Sequence, residues 1–302
     1  MVLAIALIGW GGAWLWIKGR IERDLDATSA GVKAAGGELT WSGRRVSGYP
    51  FRFDVDFTGL TWRGPDGWGV SALELRSEAS VFAFSHWVAY APEGVSLVRP
   101  TGGAVGIAAQ VLRASVTDAN RLPPTFSLEG RDLTFAPVTG AKPYLLASAR
   151  QLHIHTLAGS ADQGAFLIEL DDARASPESK LAAVSNGGAV NLEAEAIYDH
   201  ADAMGGLGWT SAIRSWATAG GKIQVRRLRF QAGAFEVDGQ GSGFSVDPDG
   251  RLVGELALAH GVAALAALGG SAGSGGRAAV LSFRAGRMTL GPLALGRSPK
   301  VY

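Results

Sequence analysis

Apolar and polar residues alternate strictly along residues 51–58, where Phe-Arg-Phe-Asp-Val-Asp-Phe-Thr follows a Ser-Gly-Tyr-Pro turn. Successive side chains of an extended strand point to opposite faces, so the apolar ones share one face. The four apolar residues are Phe51, Phe53, Val55 and Phe57. Gly48 and Pro50 favour a stiff corner before this segment. The pattern predicts a half-buried antiparallel strand, whose apolar face either belongs to the core or lines a groove.

Similar patterns recur along most of the chain and predict a β-rich protein. The predicted strands cover 39–47, 50–63, 68–77, 80–91, 94–98, 104–116, 125–136, 145–157, 163–174, 189–198, 222–231, 234–247, 251–259, 278–285 and 287–294. Helical spacing indicates only short packing helices, at 211–219 and 260–268, and 269–276 reads as a Gly/Ser loop. We therefore expect an α+β fold, mostly β, with long curved antiparallel sheet.

The N-terminal segment has a different pattern, because Val2 to Ile17 carry no charge. An uncharged run of this kind predicts a membrane helix, so we assign 1–18 to a transmembrane anchor. Apolar residues at helical spacing continue to the Gly-Gly pair at 36–37 and predict a helical stalk over 19–37. The remaining residues, 38–302, form the expected β-rich domain, with two fused sheets, 38–175 and 186–302, as an option.

The charges beside the anchor bear on its orientation. Lys18 and Arg20 follow the apolar run, and the positive-inside tendency alone would keep that side in the cytoplasm. Acidic residues follow at once, at Glu22, Asp24 and Asp26. We expect a single-pass anchor in the inner membrane, with the bulk of the chain in the periplasm and the bilayer as its first partner.

Composition narrows the classes of function. The chain has 28 basic and 27 acidic residues, so it lacks the charge excess of a nucleic-acid-binding surface, and no nucleic-acid partner is expected. It has no cysteine, which excludes disulfides and thiolate metal sites. Its 43 glycines suit many short strands joined by turns.

Several short motifs resemble chemical sites but lack the context that the chemistry needs. Residues 269–273 match the spelling of a nucleophile elbow without its strand and helix, and 239–243 read as a bulge rather than a phosphate loop. His153 and His155 share one side of a strand, but no third metal ligand is identifiable. The pair at 171–172 and the cluster at 198–200 read as solvated polar groups. Arg226 and Arg227 could contact lipid phosphate, but such residues more often lie on a solvated face or block an exposed sheet edge. No catalytic residue, cofactor or metal is expected.

Five segments together resemble the bacterial family known as domain of unknown function 2125, found mostly in alphaproteobacteria. They are the N-terminal apolar helix, Ser-Gly-Tyr-Pro-Phe-Arg-Phe at 47–53, Gly-Lys-Ile-Gln-Val-Arg-Arg-Leu at 221–228, Asp-Gly-Arg-Leu-Val-Gly at 249–254 and Gly-Arg-Met-Thr-Leu-Gly-Pro at 286–292. The turn residues of these motifs are Gly48, Pro50, Gly250, Gly291 and Pro292. The resemblance implies an inner-membrane-anchored protein with a periplasmic bulk. It carries no catalytic residues.

These observations favour a non-enzymatic envelope protein that binds or guides lipid or another amphipathic molecule along an apolar sheet face. A large apolar strand surface must be covered by another sheet, by helices or by a ligand, and the predicted helices are too few to cover it. One alternative is a scaffold or assembly protein for other envelope proteins. A second alternative, an envelope hydrolase, needs a nucleophile with a base in reach, and the sequence offers no supported pair.

Overall fold

A computed structural model of the protein describes residues 2–119, 121, 123–160, 162–206, 208–259 and 279–302. Within these residues the helices are Val2–Ala34 (α1), Lys180–Ser185 (α2) and Trp209–Thr218 (α3), with a 3₁₀ turn at Ala201–Ala203. The strands are Glu38–Thr40 (β1), Gly43–Ser47 (β2), Arg52–Arg63 (β3), Gly69–Ser80 (β4), His86–Tyr90 (β5), Val95–Arg99 (β6), Gly103–Ala108 (β7), Val111–Thr117 (β8), Thr125–Pro137 (β9), Leu146–Ala158 (β10), Gly164–Ala175 (β11), Val190–Tyr198 (β12), Ile223–Ala232 (β13), Phe235–Val246 (β14), Leu252–Leu258 (β15), Ala279–Arg284 (β16), Arg287–Leu290 (β17) and Leu293–Arg297 (β18).

All of these strands join one antiparallel sheet, and almost every strand pairs with its neighbour in sequence. From β9 to β18 each strand pairs with the next one along the chain. In the first half, three pairs of short strands act as interrupted long strands. β1 and β2 both pair with β3, β5 and β6 both pair with β4, and β7 and β8 both pair with β9. The sheet is therefore a single continuous meander.

The division into two sheets at 38–175 and 186–302 is wrong. β11 pairs directly with β12 along its length, from Gly164 opposite Tyr198 to Ala173 opposite Val190. The break in the sequence pattern arises because α2 lies in the connection between these strands. Ser179 caps α2 by accepting from the Ala182 amide, and Asn186 ends it in the left-handed conformation.

Helix α1 packs along the first strands of the sheet. Trp14 and Ile21 are buried together with Phe53 and Val55, and Val32 is buried further along the same helix. Several polar contacts tie the helix to the sheet. Among them, Trp14 Nε1 donates to Arg52 O at 3.2 Å, Ser29 Oγ donates to Leu39 O at 2.6 Å, and Arg44 contacts Asp26 at 2.8 Å. The segment predicted as a helical stalk, 19–37, is helical as far as Ala34 and packs on the sheet.

The boundary expected at residue 18 falls inside this one continuous helix. Among the described residues, no helix has an apolar stretch long enough to cross a membrane. The end of α1 agrees with the Gly-Gly signal, since the helix ends at Ala34 and Gly36 has a φ of +83°.

Helix α3 connects distant parts of the sheet across one face. Its buried residues Ile213 and Trp216 pack on Tyr198 and Phe166. At its start, the Thr210 amide donates to Asp66 Oδ2 at 3.2 Å, in the turn between β3 and β4. That turn is several strands away from β12, and neighbouring strands twist by about 20–25°. Sheet twist and curvature therefore bring the two regions together.

Four strand predictions differ from the structure. The predicted strands 39–47 and 104–116 are each divided in two, into β1 and β2 and into β7 and β8. Of 80–91, only His86–Tyr90 forms a new strand, and residues 81–85 form the connection from β4. Residues 287–294 contain a hairpin rather than one strand, because Gly291 adopts a φ of +53° between β17 and β18. The predicted helix at 260–268 and the loop at 269–276 lie outside the described residues.

The turn residues of the family-like motifs lie in turns. Gly48 has a φ of +100°, and a Cβ atom there would lie 2.7 Å from Arg52 O, so the β2–β3 turn requires glycine. The Tyr49–Pro50 peptide bond is cis. Gly250 takes a φ of +79° in the turn before β15, and Pro292 follows Gly291 between β17 and β18.

Candidate functional site

The structure places three of the four alternating residues of β3 in the core beneath α1. Phe53 is fully buried, and Val55 and Phe57 are nearly so. The Trp14 ring stacks on the Phe53 ring, with centroids 5.2 Å apart and planes 10° from parallel. This part of the sheet face is closed by the protein's own helix and is not an open groove.

Phe51 does not share that face. Its side chain is 65% exposed, because the residue belongs to the turn before β3, which begins at Arg52. The turn is held by the Arg52 amide, which donates to Gly48 O, and by the Val81 amide, which donates to Phe51 O. The alternation in sequence therefore begins at Phe51, one residue before β3 begins at Arg52.

An apolar row crosses the sheet at one register. Val46 pairs with Val55, Val55 with Ser77, and the pairing continues from strand to strand on the same face. We call this row the apolar strip; its members are Val46, Val55, Ser77, Ala89, Ala114, Leu128, Ile154, Ile168, Ala194, Leu228, Gly239, Leu258 and Ala279. Ser77 is its single polar residue, and its hydroxyl donates to Val55 O.

The ends of the apolar strip are covered, but its middle is not packed into any buried cluster of the described chain. Val46 and Val55 lie under α1, and Leu258 and Ala279 belong to the core of the last strands. In between, Leu128, Ile154 and Ile168 stay partly exposed and lie side by side on β9, β10 and β11. Alanines flank these three branched residues on both sides. They are Ala89 of β5, Ala114 of β8 and Ala194 of β12.

Two flanking clusters bound the middle of the strip along the strands. On one side, Leu152 and Leu192 pack into a cluster that also contains Leu181 of α2. On the other side, Phe166 packs into the cluster of α3 with Trp216. The middle of the strip therefore lies between two regions that helices cover. Its apolar residues are half-buried, as are the polar residues on the opposite face.

The opposite face carries a polar row at the adjacent register. Arg45 pairs with Asp56, Asp56 with Arg76, and the pairing continues across the sheet. We call it the polar ladder; its members are Arg45, Asp56, Arg76, Tyr90, Arg113, Glu129, His153, Glu169, Glu193, Arg229 and Asp238. The sheet thus has one apolar and one polar face over most of its width, which sets its inside and its outside.

Ion pairs connect the polar ladder to its neighbours. Glu129 lies 2.5 Å from Arg113 and 2.8 Å from Arg131. The hydrogen bond from Arg113 lowers the pKa of Glu129, burial opposes this, and the charges of the two arginines lower it further, leaving it below its ordinary value. Glu193 contacts Arg227 at 2.6 Å, and this contact raises the pKa of the Arg227 guanidinium.

The depressed pKa of Glu129 predicts a pH dependence of stability. A carboxyl whose pKa is lower when folded stabilises the native state above its unfolded pKa, about 4.3, and loses that contribution as the pH falls through the folded value. We expect Glu129→Gln to lower the free energy of unfolding at pH 7 by up to about 1 kcal/mol, because both arginines are largely exposed. Urea unfolding should show this difference from the unchanged protein shrink as the pH falls below the unfolded pKa of about 4.3; a difference that does not shrink with falling pH would contradict it.

The histidine pair lies on the polar face as the spacing predicts. The rings of His153 and His155 are 5.8 Å apart, and His153 Nδ1 lies 3.6 Å from Glu169 Oε2. Among the described residues, no group of three or more histidine, cysteine or acidic side chains could hold a metal ion.

The other polar motifs have structural contacts. Asp199 Oδ1 accepts from the Lys222 amide at 2.5 Å, and Asp199 O accepts from Trp216 Nε1 at 2.7 Å. Burial raises the pKa of Asp199, but the Lys222 amide and the neighbouring His200 outweigh it and leave the pKa below its ordinary value. Asp172 takes a φ of +43°, and its amide donates to Asn191 Oδ1.

The glycine motif at 239–243 lies within β14, where the pairing with β15 shifts register between Gln240 and Ser245. This irregularity agrees with the bulge that the sequence predicts. Arg226 and Arg227 border a shallow surface cavity of about 380 Å³, which Asp238 and Leu258 also line. The nucleophile-elbow spelling at 269–273 lies outside the described residues.

Sequence reasoning missed the middle of the apolar strip as the candidate site. Leu128 and Ile154 each lie between two polar residues in their own strands, as Phe53 and Val55 do, and Ile168 is followed by Glu169. The available signal was the absence of a predicted helix near 125–174 that could cover them.

Comparison with known proteins gives one match. The model of a bacterial family described as an uncharacterized protein conserved in bacteria, DUF2125, matches residues 14–261. The match begins at Trp14, which is buried against the sheet. No curated protein and no solved structure matches the chain.

Proposed function

The chain belongs to the uncharacterised bacterial family DUF2125, and from the geometry of its sheet we propose that it is a non-enzymatic envelope protein whose apolar strip binds or guides a lipid or another amphipathic molecule. The observation that carries the proposal is the partly exposed trio Leu128, Ile154 and Ile168 in the middle of an apolar strip whose two ends are covered. Covering apolar surface of this kind is favourable by a free energy of about 25 cal/mol per Å² removed from water.

An acyl chain suits the shape of the strip. The strip runs across the strands as a row one side chain wide, with small alanines on both sides of the branched residues. An alkyl chain can lie along such a row and gain about 0.8 kcal/mol for each CH₂ group that it buries. The polar ladder on the reverse face gives the sheet a surface that water can solvate.

The proposal includes attachment to the inner membrane through the N-terminal part of α1, with the sheet in the periplasm. Its support is the uncharged run from Val2 to Ile17 together with the acidic residues that follow it. Fractionation is expected to recover the chain with the inner membrane, and protease added to spheroplasts is expected to digest the sheet domain. Recovery in the cytosol would contradict this part of the proposal.

Native mass spectrometry of the full chain, gently extracted from its own membrane, tests lipid binding. We expect defined lipid masses at fixed stoichiometry. Ile154→Asp should abolish them, because a carboxylate in the middle of the strip disfavours an acyl chain. His153→Asp changes the adjacent residue, which lies on the polar face, and should retain them. Thermal unfolding of both variants checks that the fold persists.

Ala114→Trp provides a second variant that does not introduce charge. It fills the strip by volume and should also displace lipid. A chain that carries no lipid in its unchanged form, or lipid that survives both Ile154→Asp and Ala114→Trp, would refute the proposal. Co-purifying envelope proteins without lipid would support a scaffold instead.

A further inference from the structure

Aromatic side chains are exposed together at the end of the sheet where α1 begins. They come from the helix, from the β2–β3 turn and from the β4–β5 connection. The exposed fractions are 82% for Phe82, 65% for Phe51, 53% for Tyr49, 44% for Phe84 and 39% for Trp10. We call this group the aromatic tip.

Direct contacts hold the aromatic tip together. Trp10 Nε1 donates to Pro50 O at 3.1 Å, which fastens the helix to the β2–β3 turn. The Val81 amide donates to Phe51 O at 3.1 Å, which fastens that turn to the β4–β5 connection. The Phe84 ring meets the Phe53 ring edge to face at 5.7 Å. The exposed rings are therefore presented by a connected structure.

Charge is absent from both loops of the tip. Residues 47–51 and 79–85 contain no acidic or basic side chain, and the helix beside them is uncharged from Val2 to Ile17. Lys18 and Arg20 come next, each paired with a carboxylate one turn further along the helix, and the Arg20 guanidinium lies 6.0 Å from the Trp16 ring. Aromatic residues followed by basic ones are the pattern of a protein surface at the boundary between lipid tails and headgroups.

We propose that the aromatic tip inserts into the interfacial region of a lipid bilayer. This inference rests on the proposed membrane attachment, and it adds a second contact, made by the loops of the sheet itself. The occupant follows from continuity, because the exposed helix residues Ile8 and Trp10 and the uncharged loops form one apolar surface joined by the Trp10 and Val81 hydrogen bonds. With the tip in the bilayer, the sheet stands with its first strands at the membrane.

A single introduced cysteine can test this contact, because the chain has none of its own. Phe82→Cys, in the full chain, is labelled with a polarity-sensitive fluorophore and mixed with vesicles of phosphatidylethanolamine and phosphatidylglycerol. We expect the emission to shift to shorter wavelength and to be quenched by lipids that carry a spin label near the headgroup. The side chain is largely exposed, so the substitution leaves the core intact.

Thr139→Cys serves as the matched control. It lies in an exposed, uncharged stretch of the β9–β10 loop, beside Gly103 and at the opposite end of the strands from Phe82. Its label is expected to show neither the shift nor the quenching. Flotation of the same samples reports whether the chain binds vesicles at all.

The outcomes separate the two proposals. A chain that floats while the label at residue 82 stays in water would overturn insertion of the tip and leave attachment through α1 standing. A chain that does not float would overturn both. Equal shifts at residues 82 and 139 would show non-specific adsorption and would also overturn the inference.

Discussion

Replacing Phe53 with aspartate is expected to unfold the first strands of the sheet, whether or not any ligand is present. Phe53 is fully buried between the Trp14 ring and the strands, so the change removes a packed ring and buries a carboxylate without a partner. Loss of the ring alone costs about 3–5 kcal/mol. The unpaired charge adds to this cost. Urea unfolding followed by tryptophan fluorescence measures the loss.

Phe51→Asp is the matched control, since it makes the same chemical change two residues earlier. Its side chain is 65% exposed, and we expect the free energy of unfolding to change by no more than about 0.5 kcal/mol. If Phe53→Asp left stability unchanged while Phe51→Asp did not, the placement of α1 on the β3 face would be refuted.

Replacing Trp216 with alanine is expected to cost about 3–5 kcal/mol and to loosen α3 from the sheet. The Trp216 side chain is 1% exposed, and its Nε1 donates to Asp199 O at 2.7 Å. Truncation removes the packing and leaves that carbonyl without its donor. The predicted readouts are a lower unfolding midpoint and faster amide exchange in β12 and α3.

Trp209→Ala offers the comparison within the same helix. Trp209 also donates through Nε1, to Val301 O at 2.7 Å, but its side chain is 53% exposed. We expect it to cost about 1 kcal/mol, the net value of one hydrogen bond. Equal losses from the two substitutions would contradict the assigned role of Trp216 as the packing anchor of α3.

Local pattern predicted most strands because alternation and turn chemistry act over a few residues. The strands at 125–136, 145–157 and 163–174 agree with β9, β10 and β11 within one residue at each end. The same local reasoning extended the strand near residue 80 too far, because the uncharged residues 81–85 read as strand although they form an exposed aromatic connection.

The role of α1 was not accessible from hydrophobicity alone. An uncharged run looks the same whether it faces lipid or a sheet, and the run from Val2 to Ile17 includes Trp14, which packs on Phe53. The spacing of Trp14, Ile21 and Val32 places them on one side of a helix and carried the missing signal. The composition of each sheet face depends on strand register. Register pairs residues that are far apart in sequence, so local patterns do not predict it.

Because almost every strand pairs with a neighbour in sequence, the protein is a row of hairpins, and the number of hairpins sets the width of the sheet. At about 4.8 Å per strand, the apolar strip from Val46 to Ala279 measures about 55–60 Å along the sheet. Adding or deleting one hairpin would change this length by about 10 Å and leave the alternation of every other strand intact. The number of hairpins thus sets the length of the apolar strip. Relatives with more or fewer hairpins would have correspondingly longer or shorter strips.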